Sequence, residues 1–163
     1  MNSGKPMAVL DTDVVSYMIK GLAIGAEYLA LLRGYKLSMA FVTAAELQFG
    51  AERGGWGTRR RLRMDMFLQD LLVLPYADGM EHLYAKVMAE RQRAGRRLEK
   101  ADGWIATTAI YYDLPLAVHD GDFLGTPGLR IITVSPEVRV AQMKWPVAHG
   151  RPLNLNASCR CGV

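Results

Sequence analysis

Five short apolar runs alternate with longer segments of helical periodicity between residues 7 and 134. The runs are shorter than typical helices, which favours buried strands. The predicted strands are Met7–Leu10, Lys36–Phe41, Leu71–Leu74, Pro115–Val118 and Leu129–Val134. The predicted helices are Val14–Lys20, Ala23–Arg33, Thr43–Arg53, Thr58–Asp70, Asp78–Ala94 (capped by Asp78) and Ala101–Tyr112. This alternation is typical of an α/β sandwich with a mostly parallel sheet.

The length of 163 residues suits one domain. The alternating pattern fades after Ser135-Pro136, so residues 1–140 are predicted to form the domain and residues 141–163 a C-terminal tail of unknown role. No apolar run approaches the roughly 18–20 residues of a membrane helix, and acidic residues come too early for a signal peptide. We therefore expect a cytoplasmic protein with no membrane partner. His149, Cys159 and Cys161 fit no strong metal-site spacing.

Acidic residues follow two of the predicted strands. Asp11 comes directly after Met7–Leu10, while Asp120 and Asp122 come shortly after Pro115–Val118. Ligands of an open α/β sheet bind outside the carboxyl ends of the strands, so these acids are candidates for a functional site. The structural alternative is that each aspartate caps the helix that follows it.

Two further acids lie near predicted helix starts. Asp102 precedes Ile105 and Ala109 by three and seven residues, so it heads the apolar stripe of its helix and points towards the sheet. A carboxylate there is also stabilised by the helix N-terminus, which is its structural alternative. Glu46 follows Thr43 by three residues, and Thr-x-x-Glu is the pattern of a capping box.

If these four acids converge in one crevice, their charges repel each other. At 4 Å a like-charged pair costs about 4 kcal/mol at an effective dielectric near 20. Such a cluster persists only if protons or a cation offset that cost. Hard divalent cations such as Mg²⁺ take oxygen ligands, and the sequence has no cysteine–histidine cluster typical of zinc. Converging acids therefore predict a site for a hard divalent cation.

The chain carries 20 lysines and arginines against 16 acids, a net charge of +4. This balance favours an anionic partner, with nucleic acid first. One basic block contains Arg59, Arg60 and Arg61 and a second contains Arg96 and Arg97, which favours phosphate contacts over solvated helix faces. Consecutive helical positions point about 100° apart, so at most two of the first three can touch one partner. The third is expected to be solvated.

Four segments resemble, in order, the acidic blocks of PIN-domain ribonucleases, and above all the VapC toxins of toxin–antitoxin pairs. The segments are LDTDVVSYM, VTAAELQFGAERGG, LEKADGWIATTAI and AVHDGDF followed by PGLRII. The resemblance covers about residues 7–135. It implies a three-layer α/β/α sandwich with five parallel strands in the order 3-2-1-4-5. It also implies that Asp11, Glu46, Asp102 and Asp120 are the catalytic acids and metal ligands, with Asp122 as an accessory acid.

The same resemblance implies an endoribonuclease that uses Mg²⁺ or Mn²⁺ and leaves a 5′-phosphate and a 3′-hydroxyl. Relatives of the VapC type usually cut tRNA or rRNA, are inhibited by a cognate antitoxin and commonly form homodimers. An antitoxin helix is expected to dock at the apolar segment Leu22–Leu32. In one departure, Val118 stands where the family often has threonine, two residues before the fourth acid.

Two alternatives compete with the ribonuclease interpretation. Asp11-Thr12-Asp13 after a first strand is also similar to the start of haloacid-dehalogenase-type phosphatases, in which Asp11 would be the nucleophile and Asp13 the general acid. No Gly-Asp-x-x-x-Asp motif follows, and Glu46 would have no role. The other alternative is a non-catalytic module that binds RNA or a partner.

Overall fold

The computed structural model describes residues 4–144 of the chain. Its strands are β1 (Met7–Leu10), β2 (Lys36–Ala40), β3 (Leu72–Leu74), β4 (Leu116–Ala117) and β5 (Ile131–Ile132). Its α-helices are α1 (Thr12–Ile19), α2 (Ala23–Leu31), α3 (Phe41–Arg53), α4 (Thr58–Gln69), α5 (Met80–Arg93), α6 (Lys100–Tyr111) and α7 (Pro136–Lys144). A short 3-10 helix, Gly121–Phe123, follows β4.

The five strands form one parallel sheet in the order β3-β2-β1-β4-β5. This order confirms the expected topology. It places β1 at the centre, where Leu10 lies opposite Met39 of β2 and Ala117 of β4. The ends of strands that are distant in sequence thus meet at one edge of the sheet.

Alternate residues of the strands point into two separate hydrophobic cores. Leu10 packs with α1, α3 and α4, whereas the preceding Val9 packs with α5 and α6. Side chains alternate between the two faces of a strand, so one apolar run supplies both cores. Helices therefore cover both faces of the sheet, which confirms the three-layer α/β/α sandwich.

One helix was not predicted from the sequence. Helix α7 begins at Pro136, immediately after Ser135, whose side-chain oxygen accepts a hydrogen bond from the backbone N–H of Val138 at 3.4 Å. Serine at the N-cap followed by proline at the first helical position is a strong helix start that the sequence analysis overlooked. The predicted domain boundary at residue 140 falls within this helix, and the remainder of the predicted tail lies outside the described residues.

The start of α5 also differs from the prediction. Gly79, with φ of 90°, occupies the N-cap position and the helix begins at Met80, so Asp78 is not the cap. No single helix among residues 4–144 is long and apolar enough to cross a membrane. Helices α1 and α2 reach that length and composition only together, across a bend of 115°.

Candidate functional site

Asp11 lies at the centre of the sheet, at the carboxyl end of β1. Its backbone N–H donates to the carbonyl of Ala117 at 3.0 Å, so the strand pairing with β4 continues up to this residue. Asp11 occupies the N-cap position of α1, but its side chain makes no capping hydrogen bond to that helix. Asp11 thus holds the cap position without a side-chain capping bond, and capping alone does not account for its carboxylate.

Burial makes the carboxylate of Asp11 a stronger base than that of an exposed aspartate. The residue is only 5% exposed, and desolvation raises its pKa from 3.8 to about 7. The backbone N–H groups of Thr12 and Asp13 lower the pKa in part, while the charges of Asp102 and Asp13 raise it further. A buried carboxylate of this kind favours a nearby proton or cation.

Asp102 lies in the first turn of α6, and the apolar stripe that it heads is in place: Ile105, Ala106 and Ala109 are fully buried. Its side chain forms no N-cap bond, because Glu99 holds the cap position. Partial burial is the largest cause that raises the pKa of Asp102, to about 6.

Other carboxylates add to the rise in the pKa of Asp102. They are, in order of effect, Glu46, Asp122, Asp120 and Glu99. Asp102 also contributes to the raised pKa of Asp11. These mutual effects on the pKa values indicate that the predicted acids lie near one another, at the carboxyl edge of the sheet.

Glu46 is held by a hydrogen bond that sequence analysis did not anticipate. Helix α3 begins at Phe41 with Ala40 at the N-cap position, so Thr43 and Glu46 lie inside the helix and the capping box is wrong. Instead, the hydroxyl of Thr12 donates to Oε2 of Glu46 at 2.5 Å. The same Thr12 oxygen lies 3.3 Å from Oγ1 of Thr43. The one signal in the sequence that points to Thr12 is its position next to Asp11.

Asp120 and Asp122 lie on the turn after β4. Asp120 caps the 3-10 helix, and its Oδ1 accepts a hydrogen bond from the backbone N–H of Asp122 at 2.9 Å. Its second carboxylate oxygen stays available for another role. Arg91, on α5, secures this turn from below by donating to the backbone carbonyls of Asp122 and Leu124.

Arg91 itself is buried, at 3% exposed, although it belongs to the second basic block. Its Nε has no hydrogen-bond partner among the described residues. Burial lowers its pKa, and the neighbouring Arg96 lowers it further. Arg91 therefore supports the acidic turn and does not face an external anion.

Two tyrosines that the sequence did not indicate, Tyr28 and Tyr17, contact His119, which directly precedes Asp120. The buried hydroxyl of Tyr28 donates to the carbonyl of Val118 at 2.5 Å, and lies 3.3 Å from Nδ1 of His119. The ring of Tyr17 meets His119 edge-on at 5.7 Å. Burial and the charges of Asp13, Asp11 and Asp120 raise the pKa of Tyr17. The carbonyl of Val118 thus accepts a hydrogen bond from the hydroxyl of Tyr28, whereas the Val118 side chain has no hydroxyl of its own.

The acids supply the hard oxygen donors that Mg²⁺ and Mn²⁺ prefer. Within residues 4–144, no three acidic, histidine or cysteine side chains are grouped closely enough to hold an ion by themselves. Mg²⁺ is usually bound through one or two carboxylates, with waters and substrate phosphates completing its shell. The donor set fits that pattern.

The predicted basic residues divide into different environments. Arg61 is partly exposed but donates to Glu52 at 2.8 Å and to the carbonyls of Trp56 and Ala51, so its guanidinium is engaged within the protein. Arg59 and Arg60 share one cleft. Arg97 lines a shallow cavity beside Met88, Gln92 and Leu98, and Arg96 follows the end of α5 with its N–H donating to the carbonyl of Arg91.

Residues 8–129 match the family model of the PIN domain. The chain belongs to the PIN-domain family. A VapC ribonuclease of Sinorhizobium fredii is 32% identical in an alignment 134 residues long that covers 77% of this chain and 96% of the relative. A ribonuclease VapC4 of Mycobacterium tuberculosis is 26% identical, over 62% of this chain and 79% of the relative.

Solved structures confirm the PIN fold. The DNA-bound VapBC2 complex of Rickettsia felis contains a chain with a TM-score of 0.71 at 22% identity, covering 78% of this chain and 98% of that one. The DNA-bound VapBC of Salmonella typhimurium gives 0.70 at 25% identity, with the same coverage. Membership of the PIN family leaves no support for the phosphatase alternative, in which Asp11 would be a nucleophile.

Proposed function

We propose that this PIN domain is a metal-dependent endoribonuclease and the toxin of a toxin–antitoxin pair. The observation that carries the proposal is the buried Asp11 at the centre of the sheet, with its raised pKa and its electrostatic connection to Asp102. Relatives named as VapC ribonucleases support the reaction. Structural neighbours that are VapBC complexes support an antitoxin partner.

Asp11 and Asp120 are the proposed direct ligands of Mg²⁺ or Mn²⁺, with Asp122 as an accessory. When bound, such an ion lowers the pKa of water and stabilises negative charge on phosphate oxygens. Glu46 and Asp102 would help to hold the ion or would orient the water that attacks the phosphodiester. The hydroxyl of Thr12 fixes the carboxylate of Glu46 in one orientation for this task.

An RNA of the tRNA or rRNA class is the proposed substrate, and the cytoplasm its place of action. The net charge of +4 supports a polyanionic substrate. Arg59, Arg60, Arg96 and Arg97 are proposed RNA contacts, whereas Arg61 is engaged with Glu52 and is less suited to the role predicted for it. A homodimer and an antitoxin helix on Leu22–Leu32 complete the proposed assembly; Leu22, Leu29 and Leu31 are exposed there.

The direct test compares wild type with Asp11→Asn in RNA cleavage assays containing Mg²⁺ or Mn²⁺. We expect the variant to lose cleavage while circular dichroism and thermal melting show that it stays folded. Asp70→Asn is the matched control, because Asp70 is exposed and precedes β3, at the opposite edge of the sheet. Undiminished cleavage by folded Asp11→Asn protein would refute the proposed reaction.

The cellular test sequences RNA 5′-phosphate ends after brief induction of the chain. Discrete new ends that disappear with Asp11→Asn would identify the substrate and its cleavage site. Growth arrest by the wild type, relieved by co-expression of the cognate antitoxin, would establish the toxin role. RNA binding with no cleavage in either metal would instead establish the non-catalytic module.

A further inference from the structure

A cationic cleft lies where the end of α1 meets the start of α4. It has a volume of about 470 Å³ and is lined by Ile19, Lys20, Arg59, Arg60 and Arg63. Lys20 belongs to neither of the two basic blocks in the sequence. The lining contains four cations and no carboxylate, so the cleft is electrostatically selective for an anion.

The surrounding structure holds two of the neighbouring arginines in place. The guanidinium of Arg61 binds Glu52 and the backbone at Ala51 and Trp56, so it secures the turn between α3 and α4. The guanidinium of Arg60 lies over the ring of Trp56, 3.5 Å from its centroid. A stacked guanidinium keeps its N–H donors free for a ligand in its plane.

The four cations of the cleft have no internal counter-ion in the described part of the chain. The ion pairs there join Arg61 to Glu52, His82 to Glu81 and Arg130 to Asp113. Like charges around one cleft repel each other, and a bound anion offsets this repulsion because each cation attracts it. The arrangement is therefore suited to a ligand with closely spaced negative charges.

We propose that this cleft binds the phosphates of an RNA strand a few nucleotides away from the bond that is cut, an inference that rests on the proposed function. Helix α1 connects the two places, since Asp11 precedes its first residue and Lys20 follows its last. A helix of eight residues is about 12 Å long. The acids and the cleft are therefore close enough for a few nucleotides of one RNA strand to span both.

An acidic protein segment is the competing ligand, and the lining favours RNA. Protein interfaces depend on apolar or aromatic anchors seated in pockets, whereas Ile19 is the single apolar residue of this lining. The Arg60–Trp56 pair is typical of surfaces that bind single-stranded nucleic acid, where cations alternate with rings. Contacts to phosphate position RNA without reading its sequence.

The test measures binding of a fluorescein-labelled 20-nucleotide single-stranded RNA of random sequence in EDTA, where cleavage is blocked. Wild type is compared with Lys20→Gln/Arg63→Gln across a series of salt concentrations. We expect the double variant to bind several-fold more weakly and to flatten the slope of log affinity against log salt by roughly 0.7–1.4, since each lost phosphate contact is worth about 0.7. Thermal melting verifies that the variant is folded.

Lys5→Gln/Lys36→Gln is the matched control, because both lysines are exposed, lie near the amino ends of β1 and β2, and do not line the cleft. It makes the same change in charge and should leave the salt slope unchanged. An equal loss of RNA affinity in both double variants would show that the effect depends only on net charge, and it would overturn the inference. RNA binding unchanged in Lys20→Gln/Arg63→Gln, with loss of binding to polyglutamate, would assign the cleft to an acidic protein.

Cleavage assays separate this inference from the proposed function. If the wild-type chain binds RNA through the cleft but cleaves none in Mg²⁺ or Mn²⁺, RNA binding by the cleft is supported and the proposed nuclease activity is refuted. If the chain shows metal-dependent cleavage and Lys20→Gln/Arg63→Gln binds RNA normally, the nuclease activity is supported and RNA binding by the cleft is refuted. Wild-type chain that binds no RNA would reject both.

Discussion

The hydroxyl of Thr12 donates a hydrogen bond of 2.5 Å to Oε2 of Glu46, and thereby joins the first residue of α1 to the middle of α3. The two residues are 34 positions apart in the sequence. Because Thr12 adjoins Asp11, this bond ties the orientation of one predicted acid to the position of another. The bond links the segment that carries Asp11 to the side chain of Glu46 without a bound ion.

We expect Thr12→Val to lower the rate of RNA cleavage by about tenfold, equivalent to roughly 1.4 kcal/mol of the barrier. Valine preserves the shape of the side chain but leaves Glu46 free to rotate. The measurement is the single-turnover rate at saturating RNA. Thr12→Ser retains the donor and should stay close to wild type; equal losses in both variants would show that the methyl group, and not the hydrogen bond, matters.

Stability without metal should fall as the pH rises. The pKa values of Asp11 and Asp102 are raised from 3.8 to about 7 and about 6, so between about pH 4 and 7 the folded chain binds more protons than the unfolded chain. The free energy of unfolding therefore decreases through this range as the two carboxyls ionise. Their contribution is retained in acid and lost towards pH 8.

Melting curves in EDTA at pH 5 and pH 8 test this effect with Asp102→Asn. The variant cannot ionise at residue 102, so its melting temperature should fall less than that of the wild type between the two pH values. We expect a difference of a few degrees, because 1 kcal/mol corresponds to about 2–4 °C for a domain of this size. Asp70→Asn should follow the wild type, and a parallel course for Asp102→Asn would argue against the raised pKa.

Tyr28→Phe should destabilise the domain by about 1–3 kcal/mol, because it leaves the buried carbonyl of Val118 without the tyrosine hydroxyl. Urea unfolding measures the change. Tyr112→Phe removes a similar bond, from an exposed hydroxyl to the carbonyl of Pro75, and should change stability by less than about 0.5 kcal/mol. Equal effects of the two substitutions would contradict the role of burial.

Two glycines inside helices make a matched pair. A Cβ at Gly103 would lie 2.5 Å from Sδ of Met88 and 2.9 Å from Cε2 of Tyr84, whereas a Cβ at Gly50 meets open space. We expect Gly103→Ala to destabilise by about 1–3 kcal/mol through overpacking. Gly50→Ala should stabilise by about 0.5–1 kcal/mol. Urea unfolding that gives both variants the same sign would refute the packing argument.

Gly103 has a consequence for the ring beside it. The absence of a side chain there admits Tyr84, whose ring stacks on Trp104 at 4.3 Å and 16°. We expect Gly103→Ala to change the tryptophan fluorescence of the folded protein by disturbing this stack. Gly50→Ala should leave the spectrum unchanged.

Local sequence signals were sufficient for most of the fold. Met7–Leu10 was predicted with its observed bounds because an apolar run of four residues ends abruptly at an acid. Asp102 was placed correctly because its spacing to Ile105 and Ala109 is that of one helix face. Both signals lie within a few residues, where the periodicity of the chain determines direction.

Contacts between distant elements could not be predicted in the same way. Thr12 and Glu46 meet only because β1 and β2 are adjacent in the sheet, and nothing in either local sequence encodes that pair. Arg91 lies among other basic residues, and nothing in the local sequence distinguishes it from its exposed neighbours. Its burial next to Asp122 could therefore not be predicted. Glu46 satisfied a capping pattern by chance, because α3 begins earlier than Thr43.

The pairing of Asp11 with Ala117 has a temporal consequence for the nascent chain. The ribosome needs roughly 5–20 s to travel from one residue to the other, at about 5–20 residues per second. During that interval the end of β1 lacks a neighbour on one side. Asp11 then stays hydrated, and its pKa is not raised by burial. A chain that ends before β4 lacks Asp120 and Asp122, and we expect it not to cleave RNA. The order of synthesis thus delays the assembly of the acids until the domain is nearly complete.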